Sequence, residues 1–373
     1  MTSRPKAKRS AGAVLLALLV VAATLLVAPA GGAAKASMSE FVSGLQNPRG
    51  LHWGPDGDLY VAEGGTGGNA TTIGLCDYDP DQVPFPIGPY RGSTDGARIS
   101  RISPAGAVSD FVKGLPSSET SPLIGSFTSG VADVAFIGTT PYALVTGAGC
   151  SHGVLGIPNE VIRINPDKSW TRVADLSAFW KAHPVAKPEP DDFEPDGTPY
   201  SMVAVRGDLY VVEPNHGELD RVTTDGRVSR VVDYSAVFGH VVPTTVAYHG
   251  NFYIGNLGTL EDLGKHNQFV AKVNPAGHVN VVVSGLQTVL GLAFDGRNRM
   301  YVLDMGGYVP GQGRVLRIDP SGRVTEVASG LDHPTAMTFG PDGALYISDR
   351  GFGYCSFVSC PADGRIMKVV LPA

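Results

Sequence analysis

The sequence predicts an all-β ring built from six repeated sheets, and three observations lead there. One phrase is written twice, as NPRGLHWGPDGDLYVAEGG from Asn47 to Gly65 and as HPTAMTFGPDGALYISDRG from His333 to Gly351. Weaker copies of its second half recur between them, at intervals of roughly 40–50 residues in the later part of the chain, the spacing of propeller blades, and at longer ones in the first half, where insertions intervene. The composition agrees: 48 Gly, 28 Pro, 43% hydrophobic and 17% charged residues describe a turn-rich globular chain rather than a disordered one.

The elements follow in chain order. Residues 1–36 read as a signal peptide: Arg4, Lys6, Lys8 and Arg9 form a basic start, Val14 to Val27 an apolar stretch, and small residues near 30 or 36 a cleavage site. Retained, the same apolar stretch would be long enough to serve as an anchor. Residues 39–373 form the single predicted domain. Its signature strands are Asp58-Leu-Tyr-Val-Ala-Glu63, Tyr142-Ala-Leu-Val-Thr146, Asp208-Leu-Tyr-Val-Val-Glu213, Asn251-Phe-Tyr-Ile-Gly-Asn256, Arg299-Met-Tyr-Val-Leu-Asp304 and Ala344-Leu-Tyr-Ile-Ser-Asp349. Third strands follow, among them Arg98-Ile-Ser-Arg-Ile102, Arg314-Val-Leu-Arg-Ile318 and Arg365-Ile-Met-Lys-Val369. Fourth strands come after turns such as SPAG, TDG, NPAG and DPSG. Six such units predict a six-bladed β-propeller.

The last unit runs out of chain after its third strand, whereas Glu40-Phe-Val-Ser-Gly-Leu45 precedes the first and resembles the fourth-strand segments Asp110 to Leu115 and Glu326 to Leu331. The N-terminal strand is therefore expected to complete the last blade, which would close the ring and remove an exposed edge. Opening strands alternate large residues (Leu51, Trp53, Val134, Phe136) with small ones (Gly50, Ala135, Ala293, Ala336). The small set is expected to face the channel. His52 interrupts it, and projects into the channel or, after a register slip, into the core.

Antiparallel order puts the short turns on one face and nearly all long insertions (64–96, 114–130, 147–159, 176–199, 257–268 and 350–364) on the other. Long loops on a rigid scaffold usually carry function, so this face is the candidate site. Here Glu63, Glu213, Asn256, Asp304 and Asp349 end their strands, and with Arg49 and His52 they make up the expected ligand-binding channel mouth. Two readings of the five strand-end residues stay open: together they supply oxygen ligands to a Ca2+ ion, or each caps its own blade by accepting backbone N–H bonds. His152, His216, His240, His266 and Arg350 are further loop candidates. Glu189, Asp191, Asp192, Glu194 and Asp196 read as a solvated acidic loop. Asp77, Asp79 and Asp81 imitate a calcium loop without its glycine or its closing glutamate, so an EF-hand is rejected. Export would oxidise Cys76, Cys150, Cys355 and Cys360, with Cys76–Cys150 and Cys355–Cys360 the favoured pairs among three arrangements. The net charge of −6 argues against nucleic acid. GxSxG, HExxH and phosphate-loop motifs are absent.

At its GPDG-x-LYV-x-E/D units the chain resembles NHL-type propellers, and from Asn47-Pro-Arg-Gly through Val173-Ala-Asp-Leu-Ser177 to Pro243-Thr-Thr-Val246 it more closely resembles the ScyD/ScyE family of exported bacterial proteins. That resemblance implies fold and export but brings no catalytic motif. Its NP-x-GL-like and PDG elements are also similar to those of quinone-dependent soluble sugar dehydrogenases, and the acidic strand ends loosely resemble lactonase-type propellers. These imply a quinone with calcium, or a divalent cation, as alternatives. The favoured expectation is an exported binding or scaffold propeller whose partner is a small molecule or an extracellular protein, with no membrane span once the signal is cleaved.

Overall fold

A computed structural model describes residues 36–76, 88–120, 127–188, 194–262, 264–274, 276–352 and 364–372. The expected signal segment, the calcium-loop imitation and the expected Cys355–Cys360 pair lie outside these residues. Six antiparallel sheets form a six-bladed ring, five of four strands and one of five. From the channel outward, blade 1 uses Pro48–Trp53, Leu59–Glu63, Arg91–Ile102 and Val108–Glu119, extended by the short strand Thr128–Ser129. Blade 2 uses Val131–Ile137, Thr140–Val145, Glu160–Ile164 and Trp170–Asp175; blade 3 uses Ser201–Val205, Asp208–Glu213, Glu218–Val222 and Val228–Asp233. Blade 4 consists of Pro243–Tyr248, Phe252–Asn256, Gln268–Val273 and Val279–Leu286, and blade 5 of Val289–Phe294, Met300–Asp304, Gly313–Ile318 and Val324–Leu331.

Blade 6 closes the ring as the sequence predicts. Its chain supplies Ala336–Phe339, Leu345–Asp349 and Gly364–Val370, and the N-terminal strand Ser37–Leu45 pairs antiparallel on the outside, with Ser37 opposite Val370 and Val42 opposite Ile366. Phe41 sits in a bulge of that strand, and its ring meets Tyr346 edge-on at 5.1 Å. The two termini thus share one sheet, leaving no open seam between the last blade and the first.

The core is divided into six apolar clusters, one at each joint between blades. This corrects the expectation that small inner-strand residues face the channel. Leu51 and Trp53 pack toward blade 6, and Val134 and Phe136 toward blade 1. Ala135 packs toward blade 3, Ala293 toward blade 6 and Ala336 toward blade 1. Side chains leave a sheet through its two faces, and in a propeller both faces look at neighbouring blades. Small residues are required because the wedge between blades is narrowest near the axis.

Polar stitches add to this packing at the inner strands. Arg49 Nη2 donates to Thr128 O ahead of blade 2, and Met202 N of blade 3 donates to Asp133 Oδ2 of blade 2 at 2.8 Å. Thr244 Oγ1 donates to Val289 O at 2.5 Å, and Thr335 Oγ1 to Pro48 O at 2.6 Å, joining blades 4 to 5 and 6 to 1. The sequence reading missed two short helices, Leu176–Ala182 and Tyr234–Phe238. Each begins at an aspartate N-cap, Asp175 or Asp233, that accepts the N–H three residues on at 2.9 Å. Among the described residues no helix is long and apolar enough to cross a membrane.

Candidate functional site

The five strand-end residues reach the insertion-bearing face at equivalent positions, and all are fully buried. Each has partners in or beside its own blade. Glu63 lies opposite Arg98 on the third strand, which grips it with Nε at 2.9 Å and Nη2 at 3.0 Å; Gln46 N adds a bond at 2.5 Å and Ser100 Oγ another. Asp304 lies opposite Arg314 (3.0 Å) and accepts Thr288 N and Gly306 N. Asp349 lies opposite Arg365 (2.8 Å) and accepts Asp332 N at 2.7 Å; burial raises its pKa against the pull of Arg365. The carboxylate therefore latches the turn that leads into the inner strand, and the arginine neutralises it.

Where the pairing residue changes, the tip changes with it. Asn256 is neutral, and its amide donates to neutral Gln268. Glu213 stands opposite Glu218 rather than a cation, and it accepts three backbone N–H groups, from Thr198, Asn215 and His216. Its neighbour Glu218 is held by Arg230 on the fourth strand at 2.5 Å. In blade 2 the tip is Val145, opposite Glu160, which again turns to a fourth-strand arginine, Arg172. Each of these side chains is thus engaged within or beside its own blade. Among the described residues no three His, Cys, Asp or Glu side chains are grouped to hold a metal ion.

The other sequence candidates separate. His52 belongs to the opposite end of the channel: its strand runs from Pro48, opposite Glu63, to Trp53, opposite Leu59 beside the short GPDG turn. Its ring stacks on Phe136 of blade 2 at 5.8 Å; solvent reaches it, yet the surrounding protein lowers its pKa by desolvation. His216 lies 3.4 Å from Glu213. Arg350 binds Asp332 at 3.2 Å, and His266 is exposed. The acidic loop is not simply solvated. Glu194 accepts Tyr90 Oη at 2.6 Å and Thr198 Oγ1 at 2.7 Å and faces buried His152 at 3.3 Å, while Asp196 accepts the Ser151 N–H and hydroxyl. Burial would raise the Glu194 pKa, but His152, Tyr90 and Thr198 together lower it. Glu189, Asp191 and Asp192 lie outside the described residues. The Cys76–Cys150 disulfide forms, with Cα atoms 6.1 Å apart, and ties two insertions together. Beside it, over blade 1, an open recess of about 650 Å³ is lined by Gly67, Gly68, Asn69, Gly92, Asp95 and Glu119.

Arg49 lies at the insertion-bearing end of its strand, in a setting that the sequence did not reveal. It is 5% exposed, with its Cζ 4.4 Å from the centre of the Phe352 ring and 5.8 Å from that of Tyr200. Phe127, Leu257, Leu290, Met305 and Tyr308 complete an apolar cap, so segments in or beside five of the six blades meet there. The rings of Phe127, Tyr308 and Phe352 meet edge to face at 5.8–5.9 Å. Tyr200 Oη crosses from blade 3 to donate to Thr335 O at 3.2 Å, just ahead of blade 6. Burial raises the Tyr200 and Tyr308 phenol pKa values; the Arg49 charge partly offsets both, and a side-chain hydrogen bond from Arg49 lowers that of Tyr200 further. Arg49 Nη1 is buried with no hydrogen-bond partner, and no carboxylate pairs with this guanidinium, among the described residues. Next to Arg49, Gly50 abuts Asp133, whose carboxyl is pushed up to about 7 by burial.

No protein-family model matches the chain, and no curated protein matches it. Solved structures with the same fold do. A putative oxidoreductase (glucose dehydrogenase) from Thermus thermophilus is 17% identical with a TM-score of 0.51, over 90% of this chain and 100% of that one. A protein of unknown function from Bacteroides thetaiotaomicron is 13% identical at 0.54, over 90% and 76%. A gluconolactonase from Xanthomonas campestris is 10% identical at 0.52, over 90% of each chain. At these identities the likeness establishes a shared six-bladed fold, which serves several chemistries, and no activity.

Proposed function

We propose that this protein is an exported binding propeller of the ScyD/ScyE type that holds a small-molecule or protein ligand at the insertion-bearing mouth of its channel. The observation that supports this most is the contrast within that mouth. Its acidic side chains are engaged by backbone N–H groups and by arginines of their own blades, while a buried cation stands among aromatic rings with no carboxylate paired to it among the described residues. A metal-dependent lactonase or a calcium- and quinone-dependent dehydrogenase would need free oxygen ligands. Glu63, Asp304 and Asp349 do not offer them, so the residues present fit a shared Ca2+ ion poorly. The disulfide agrees with an oxidising compartment.

The test is a thermal-shift screen of the secreted chain against small molecules, run beside lactone hydrolysis and dye-linked sugar oxidation with and without calcium and chelator. Ligand-dependent stabilisation with neither activity is expected. A hydrolase or dehydrogenase activity that chelator abolishes would overturn the reading.

A further inference from the structure

We infer that Arg49 is the anchor for a small organic monocarboxylate with a flat body, received at the channel mouth against Phe352, Tyr200 and Tyr308. This rests on the preceding reading that the insertion-bearing face carries the ligand, and adds the ligand's chemical class. A guanidinium offers five N–H donors and cannot shed its proton in a protein, so a buried one needs acceptors. Nη2 has Thr128 O and the Tyr200 phenol lies within reach of the guanidinium, but Nη1 is buried without a hydrogen bond of good geometry among the described residues. Such an orphan in a native structure calls for an explanation. Arginine's planar fork matches a carboxylate in particular.

Charge and shape narrow the class further. Arg98, Arg314, Arg350 and Arg365 at this end of the ring are already paired to carboxylates, so Arg49 provides a single positive charge and suits a monoanion better than a phosphate dianion. Phe127, Tyr200 and Tyr308 are only partly buried and form the outer surface of the cap, so the ligand body would meet ring faces and edges. A flat unsaturated or aromatic carboxylate uses both features.

The experiment uses the full secreted chain and four probes: benzoate, its neutral isostere benzamide, the cation benzylamine and inorganic phosphate. Binding is read by calorimetric titration and thermal shift. Benzoate is expected to bind saturably and about tenfold or more tightly than benzamide, the difference that a charged hydrogen-bonded contact supplies. Arg49→Met should reduce benzoate to the benzamide level, whereas Arg49→Lys, which keeps the charge, should retain a preference for benzoate; it also serves as the second test should the methionine variant fail to fold. Phe352→Leu should weaken benzoate and benzamide alike. Equal binding of benzoate and benzamide, benzoate binding indifferent to Arg49→Met, or no binding of benzoate would overturn the inference and leave Nη1 to an ordered water. If neutral molecules still stabilise the chain in the wider screen, the binding-propeller reading survives that failure; if nothing does, both fall.

Discussion

Arg98 and Arg49 both serve blade 1, at the same end of the ring, yet their guanidinium groups live differently. Arg98 is about one-quarter exposed and holds a fully buried carboxylate in a two-point grip. Arg49 is buried, lies on a phenylalanine ring and has no carboxylate partner among the described residues. A buried charge without a partner is costly to a fold, and one with a good partner is costly to disturb. The first arrangement is what a blade needs to hold its own turn; the second is not explained by the fold.

The sharpest way to break this comparison is to remove the partner at other tips. Arg314→Met or Arg365→Met leaves Asp304 or Asp349 buried without its cation, and each is expected to cost about 3–5 kcal/mol in chemical denaturation. A loss under about 1 kcal/mol would make these pairs ornamental. A smaller effect should appear at Asp133. The folded protein holds its proton more tightly than the unfolded chain, because the folded pKa is about 7 against an ordinary value of 3.8. The stability this proton confers is complete below about pH 4, declines as pH rises toward 7 and is gone above it, a span of at most about 4 kcal/mol. Asp133→Asn should flatten that decline in melts between pH 4 and 8; an unchanged slope would place the titration elsewhere. Next comes Gly50→Ala, whose Cβ would lie 2.0 Å from Asp133 Oδ1. It is expected to lose about 1–3 kcal/mol through overpacking. Smallest is the effect of calcium or chelator on the melting temperature, expected to be nil; a calcium-dependent rise would give the acidic tips back their shared ion.

The ring was legible in the sequence because its period is written in side chains that the fold itself demands, the GPDG turns and Leu-Tyr pairs. Closure was legible because Glu40 to Leu45 repeats other outer strands. The tips were located but not their orientation. Their arginine partners stand 35, 10 and 16 residues downstream of Glu63, Asp304 and Asp349, since the intervening loops differ in length. The signal was present in the Arg-Ile and Arg-Val starts of the third strands. The alternation of the inner strands gave the two faces of each sheet correctly, but periodicity does not say what lies beyond a face, and the channel was assumed where a neighbouring blade stands. Most of the aromatic cap was not legible at all. Phe127, Tyr200, Tyr308 and Phe352 come from different loops at different offsets, and only the closed ring brings them to one axis.

The most direct measurement is a matched pair of denaturation curves for Arg98→Met and Arg49→Met. Arg98→Met is expected to lose about 3 kcal/mol or more because it strands Glu63, while Arg49→Met should stay within about 1 kcal/mol of the parent, since methionine replaces an unpaired charge with apolar volume. Equal losses, or a larger one for Arg49→Met, would show that the mouth arginine belongs to the architecture, and would contradict its assignment to a ligand.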